Sequence, residues 1–256
     1  MEIRPISFRI QKSGNEPNDY EDAFAFMNHG AFQQSNLALA VADGATESSF
    51  ADAWAQMLTH AFARHPFADT KALQERTERL AKRWQSYVNG KRLAWYAEEK
   101  ARVGAFSTFL GVRIMSGNDR ACSGTWSAIA VGDTCLFHVR DNNLLSSFPI
   151  SSSSEFGNTP PLLSSNLARN RGIWSYVKVS RGDWHRGDIF LLATDAFAHW
   201  FLSESESEHR PLERLLEITE PSARSQQSAR FEAWVSSLRR SGQLRNDDVT
   251  VLLVRL

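Results

Sequence analysis

Cysteine is scarce in this 256-residue chain, which holds only Cys122 and Cys135. Two are too few for a disulfide framework or a structural zinc site, so they read as small buried apolar residues in a reducing compartment. Charge of one sign is also missing: Lys plus Arg and Asp plus Glu number 29 each. With acids and bases interspersed and no tail of one sign, the balance argues against a nucleic-acid binder held by phosphate contacts. No apolar run approaches the ~18 residues that a membrane span needs. The first twelve residues carry Glu2, Arg4, Arg9 and Lys12 without an apolar core, unlike a secretory signal. The expected location is therefore the cytoplasm, with no membrane and no nucleic-acid partner.

What is present is ordinary globular usage, 42% hydrophobic and 23% charged. A single domain over residues 1–256 is expected, long enough to bury roughly three-quarters of the surface its unfolded chain exposes. Met1 to Lys12, Asp22 to Asn28 and Leu37 to Ala42 read as strands. A helix follows, with Phe50, Trp54, Met57, Leu58, Ala61 and Phe62 at three- and four-residue steps. A second runs from about Lys71 to about Arg102, striped by Leu73, Thr77, Leu80, Trp84, Tyr87 and Val88. The Trp54, Trp84 and Trp95 spacing reads as core aromatics.

From Ala105 the pattern is β again: Ser107 to Val112, Trp126 to Val131 and Thr134 to Val139, with Gly132-Asp133 as a turn. Phe148 to Asn166, with its Ser151 to Ser154 run, reads as a long loop, better taken as a flap than as a phosphoacceptor. Ile173 to Val179 and Ile189 to Ala193 read as strands. Asp195 to Leu202, Leu212 to Ile218 and Ala223 to Leu238 read as helices, and Val249 to Val254 as a closing buried strand. Strands and helices come in segregated runs, so the expected class is α+β, with sheets covered by helices.

Acidic residues stand at the ends of these core strands. Glu21-Asp22 opens one, Asp43-Gly44 follows Ala38 to Ala42, and Asp133 sits in the Val131 to Thr134 turn. Asp195 follows Phe190 to Thr194, and Asp247-Asp248 precedes the last strand. A carboxylate against an apolar strand end is costly to desolvate unless paired or metal-bound. Two such charges 4 Å apart repel by about 4 kcal/mol at an effective dielectric of 20. No His or Cys accompanies them with zinc-like spacing, and all-oxygen ligands select hard ions, Mg²⁺ or Mn²⁺. Each motif alone is more often a turn or a solvated edge; the ordered set carries the signal.

That ordered set resembles the metal-dependent serine/threonine protein phosphatases of type 2C, especially compact bacterial members, from about Ile6 to Leu256. The matching segments are Asn18 to Phe24, Val41-Ala42-Asp43-Gly44, Phe106 to Leu110, Val131-Gly132-Asp133-Thr134, Leu192 to Ala196, and Asn246 to Thr250. The resemblance implies a four-layer sandwich of two central antiparallel β-sheets flanked by α-helices. It implies that Asp22, Asp43, Asp195 and Asp247 ligate two Mn²⁺ or Mg²⁺ ions, with the Gly44 carbonyl as a further ligand. Glu21 would act through water, and Asp133 would lie near a third, weaker ion. Asp43, Asp195 and Glu21 would be the residues on which catalysis turns. Asp247 is favoured over Asp248 as the ligand. The implied substrate is a phosphorylated protein, and the implied partner a cognate Ser/Thr kinase.

The chain also departs from the family pattern. Pro17 stands where many members have a phosphate-holding Arg, and Ala45-Thr46 where many have a His two residues past the first Gly. Ala196 replaces a Gly after the second Asp, restricting the backbone there, and His199 replaces an Asp. His199, one helical turn from Asp195, is expected to be a packed helix residue. These departures motivate the alternative of a pseudophosphatase that serves as a binding or regulatory module.

Overall fold

The longest apolar runs of the sequence become the middle strands of two five-stranded antiparallel sheets. A computed structural model of the protein describes residues 4–16, 19–30, 36–92, 95–117, 123–220 and 223–256. Strands and helices are numbered in chain order. In the first sheet, β1 (Ile6–Ile10) lies beside β12 (Val249–Arg255), followed by β11 (Ile189–Ala193), β7 (Cys135–Arg140) and β8 (Asn143–Phe148). In the second, the order is β10 (Lys178–His185), β6 (Ser123–Val131), β5 (Phe109–Ser116), β3 (Asn36–Ala42) and β2 (Ala23–Asn28). A short pair is formed by β4 (Phe106–Ser107) and β9 (Leu163–Ser164). The mixed content, with two large antiparallel sheets and separate helices, is the α+β class that the segregated runs predict.

The chain divides into two compact units. The first comprises Met1–Tyr20, Cys135–Asn158 and Gly187–Leu256, and holds the first sheet. Its helices are α4 (Asp195–Glu206), α5 (Pro211–Ile218) and α6 (Arg224–Arg240). They bury Phe197, Phe201, Leu215, Phe231 and Val235 against Phe8, Phe137, Leu191 and Val251 of the sheet. The Phe8 and Phe231 rings stack at 4.4 Å, and the Phe137 and Phe201 rings lie 4.6 Å apart. Burial of each such side chain contributes about 1.5–3 kcal/mol.

The second unit comprises Glu21–Thr134 and Thr159–Arg186, and holds the second sheet with α1 (Ala51–Arg64), α2 (Thr70–Asn89) and α3 (Trp95–Val103). Trp54 and Trp84 are core residues here, as expected, packed with Phe62, Leu73, Phe109 and Ile129. Gly111 lets the Phe62 ring close onto β5, since a Cβ there would stand 2.5 Å from the ring.

Four expectations require correction. The helix expected over Lys71 to Arg102 is two helices, because Asn89-Gly90 ends α2 and Gly90 N–H caps the Ser86 carbonyl at 3.2 Å. Tyr87 is not on the buried stripe: it is exposed, with the Lys91 ammonium 4.5 Å above its ring. The strand expected over Ile173 to Val179 is a 3₁₀ turn, Ile173–Tyr176, and the strand follows it as β10. Lys178–His185 is too polar to announce itself; its pairing with β6 makes it a strand at the sheet edge. Finally, the loop expected over Phe148 to Asn166 contains a 3₁₀ turn, Ser153–Glu155, and the short β9, and it follows an unexpected strand, β8, which a tight turn joins to β7. Asp141 and Asn142 take φ of 50° and 62° there, the left-handed pair that hairpin turns require.

Cys135 is buried, as expected. Cys122, Pro17 and Asn18, and the side chain of Trp95, lie outside the described residues. No described helix is long and apolar enough to cross a membrane.

Candidate metal centre

In the second unit, β2 and β3 pair antiparallel with Ala23 opposite Ala42. Asp22 precedes the first of these and Asp43 follows the second, so both leave the same end of the sheet. Leu37 to Ala42 is buried throughout, and Asp22 is only 4% exposed. Gly44 presses against the backbone of the partner segment: a Cβ there would stand 2.7 Å from the Glu21 carbonyl oxygen and 3.0 Å from the Ala51 backbone. This close approach keeps Glu21, Asp22, Asp43 and Gly44 in one small region.

Thr108 fixes that region. The Asp43 N–H donates to Thr108 Oγ1 at 2.9 Å, and the Thr108 N–H donates to the Asp43 carbonyl at 2.8 Å. The Ser107 hydroxyl donates to the same carbonyl at 2.8 Å. Thr108 Oγ1 also shares a 2.6 Å hydrogen bond with Thr134 Oγ1. The turn carrying Asp133 is thereby tied to the segment carrying Asp43. Gly132 has φ 99°, and a Cβ there would lie 2.7 Å from Thr108 Cγ2, so this turn accepts only glycine without rearrangement. Asp133 is 4% exposed.

In the first unit, β11 and β12 pair antiparallel with Ala193 opposite Val251. The ladder continues one step, as the Thr194 N–H donates to the Thr250 carbonyl at 3.1 Å and the Thr250 N–H to Thr194 Oγ1 at 2.9 Å. Asp195 then opens α4, where the helix dipole favours a negative charge. Asp247 stands two residues before β12, at the same end of this sheet. The Arg245 guanidinium lies against both: it hydrogen-bonds Asp195 Oδ2 and stands 3.4 Å from Asp247 Oδ2. Lys12 Nζ is 3.8 Å from Asp247 Oδ1. Burial pushes the Asp195 carboxyl above the usual range, Arg245 pulls it back, and the Asp247 charge pushes it up again. Asp248 has a different job. It is buried and accepts the Lys12 backbone N–H at 2.7 Å, anchoring the end of β1.

The structure thus gathers Glu21, Asp22, Asp43, Gly44 and the Asp133 turn in the second unit, and Asp195 with Asp247 in the first. Among the described residues, no three His, Cys, Asp or Glu side chains converge on a single point. The donors are nonetheless all oxygen, buried or half-buried, and carried in pairs at strand ends. Such a set suits a hard divalent cation. Ala196 is no obstacle, because it lies within α4 and needs no glycine conformation. His199 differs from the packed residue expected: it is exposed, with the Phe156 ring edge-on at 5.3 Å.

Sequence reasoning missed Arg245 and the Thr108 clamp. The signal for Arg245 was a guanidinium two residues from an acid in an otherwise acidic constellation. It also missed partners for two histidines. His29 Nε2 lies 2.6 Å from the Ala63 carbonyl. His138 Nε2 lies 2.7 Å from Asp188 Oδ2, and Arg140 grips the same carboxylate through Nε at 2.7 Å and a terminal nitrogen at 2.8 Å.

Among solved structures, the fold is similar to the catalytic domain of the serine threonine protein phosphatase PstP, crystallised with two manganese ions. The identity is 15% over 99% of this chain and 97% of that one, with a TM-score of 0.59. It is also similar to the serine/threonine phosphatase Stp1 from Staphylococcus aureus, at 10% identity over 100% and 96% of the two chains and a TM-score of 0.59. A bacterial serine phosphatase matches at 10% identity over 99% and 98%, with a TM-score of 0.61. At these identities the likeness speaks for the fold. No curated protein matches the chain significantly. The sequence profile of Protein phosphatase 2C, however, matches residues 12–236. With most of its length matched and its acids at the strand ends, this chain belongs to the protein phosphatase 2C family.

Proposed function

We propose that this phosphatase acts as one domain on phosphoserine and phosphothreonine of partner proteins, with Asp22, Asp43 and the Gly44 carbonyl of one unit and Asp195 and Asp247 of the other as ligands of two Mn²⁺ or Mg²⁺ ions. Family membership itself makes the protein a metal-dependent serine/threonine protein phosphatase, a hydrolase. The observation that carries the assignment of residues is the pairing of acids at strand ends: Asp22 with Asp43 beside the Ala23–Ala42 pair, and Asp195 with Asp247 beside Ala193–Val251. Asp247 is preferred to Asp248 because Asp248 is committed to the Lys12 amide.

Bound ions supply charge neutralisation and a nucleophilic water for in-line displacement at phosphorus. The chain's own residues supply placement. Thr108 and Ser107 hold the Asp43 backbone, and the tight approach of Gly44 to Glu21 keeps that turn from shifting. Glu21 is proposed to act through water, and Asp133 to lie near a third, weaker site. Arg245 balances the charge of Asp195 and Asp247. A cytoplasmic signalling role opposite a Ser/Thr kinase is the proposed setting.

The pseudophosphatase alternative is not favoured, since each acid keeps its strand-end position and Ala196 is accommodated. The test is hydrolysis of p-nitrophenyl phosphate with Mn²⁺, with Mg²⁺ and with chelator, beside Asp43→Asn. Mn²⁺-dependent turnover that disappears in the variant is expected; turnover untouched by chelator or by Asp43→Asn sinks the assignment.

A further inference from the structure

In the first unit a cleft of about 680 Å³ opens between β1 and α6, lined among others by Arg9, Ser13, Glu232, Arg239, Arg240 and Asn246. Asp247 and Asp248 offset the charge of Arg239, so the exposed charges of the cleft are Arg9 and Arg240 against Glu232, a local excess of positive charge in a chain whose formal net charge is zero. The three arginines do different work. Arg239 is half-buried and donates to the Gln11 carbonyl at 2.8 Å and to the Asp247 carbonyl, so it shapes the wall and fixes the loop that carries Asp247. Arg9 and Arg240 are exposed and give the cleft its outward charge. The far rim is Asn246, pinned to Ser13 by hydrogen bonds of 2.9 and 3.1 Å. The next residue is Asp247.

We infer that this cleft binds acidic side chains of the phosphoprotein substrate, placed a few residues from the phosphoserine or phosphothreonine. The inference rests on the phosphatase reading above and names the class of substrate that reading leaves open. An extended peptide advances about 3.3 Å per residue, so an Asp or Glu two to four positions from the reacting residue reaches roughly 7–13 Å. The cleft begins one residue from a proposed metal ligand, which suits that reach. Planar guanidinium groups match carboxylates in geometry as well as charge. Because Arg9 and Arg240 are exposed, the attraction is screened by salt and modest per pair.

The experiment compares phosphothreonine peptides of one length flanked by acidic, neutral or basic residues, with p-nitrophenyl phosphate as a substrate too small to reach the cleft. The acid-flanked peptide should show the lowest KM, by roughly tenfold against the neutral one, with the gap closing as ionic strength rises. In Arg9→Glu/Arg240→Glu that preference should vanish while kcat/KM for p-nitrophenyl phosphate holds. Arg240→Glu alone, in the exposed last turn of α6, keeps the test decisive if the double variant folds poorly. Equal KM for acidic and neutral peptides, or a preference that survives both variants, overturns the inference. Absence of Mn²⁺-dependent turnover on p-nitrophenyl phosphate in the unmodified protein overturns instead the phosphatase reading beneath it.

Discussion

Thr108 and Asp43 bond each other twice: the Asp43 N–H reaches the Thr108 hydroxyl at 2.9 Å, and the Thr108 N–H reaches the Asp43 carbonyl at 2.8 Å. The hydroxyl is the replaceable half of this pair. Thr108→Val keeps the shape and deprives the Asp43 amide of its acceptor, which costs about 1–3 kcal/mol. Denaturant unfolding should show that loss, and calorimetric titration should show weaker Mn²⁺ binding. Thr108→Ser should restore both.

Arg245 is the counter-charge that Asp195 and Asp247 share, whereas Lys12 reaches Asp247 alone. In chelator, Arg245→Met leaves the two carboxylates facing each other, and the melting temperature should fall by about 2–4 °C, the shift expected for ~1 kcal/mol at this size. With Mn²⁺ added, the rise in melting temperature should exceed that of the unmodified protein, since the cation no longer competes with a guanidinium. An unchanged response to Mn²⁺ would mean that Arg245 does not occupy the cation's ground.

Asp188 is fully buried and joined to both His138 and Arg140. Removing the carboxylate leaves the buried His138 ring nitrogen without that partner, while Arg140 can turn to water, and such a loss typically costs about 1–3 kcal/mol. Asp188→Ala should lose that much in urea unfolding. Asp188 lies just before β11 and Asp195 just after it, so at low temperature the folded variant should keep its kcat. A large drop in kcat there would show that the cluster reaches the metal ligands.

Glu206 holds the segment after β8 to α4: the Ser153 amide donates to Oε1 at 2.8 Å and the Ser153 hydroxyl to Oε2. These bonds keep the Glu206 carboxyl below its usual range. A depressed carboxyl stabilises above the unfolded value and loses that contribution as pH falls through the folded one. The protection factors against hydrogen exchange at Ser153–Glu155, with the intrinsic pH dependence divided out, should therefore fall on acidification, and at neutral pH in Glu206→Ala. Global stability should move by no more than ~0.5 kcal/mol, because Glu206 is exposed.

The strands most legible in the sequence are those buried along their whole length, β3, β11 and β12, whose apolar runs leave no alternative. Their flanking acids were legible for the same reason, since a carboxylate beside such a run stands out. β10 was illegible because polar residues fill it, and β8 because its apolar residues Leu144, Leu145 and Phe148 do not alternate with polar ones; pairing with β6 and β7 makes them strands. The break in the second helix was written in Asn89-Gly90 but overruled by the apolar stripe on either side. Thr108 and Arg245 escaped for a different reason. Their roles exist only once residues 65 and 50 positions away, Asp43 and Asp195, are brought beside them.

Each proposed acid of the metal centre stands where a buried strand begins or runs out. Its address is then set by the length and pairing of the strand, and hardly at all by which apolar residues fill it. Val, Ile, Leu and Ala can trade places along β3 or β12 over evolutionary time without moving the acid that follows or precedes them. The positions at the strand ends are thus set by the fold, and the apolar letters between them are free to vary within the limits of packing. That freedom accounts for a fold shared at 10–15% identity.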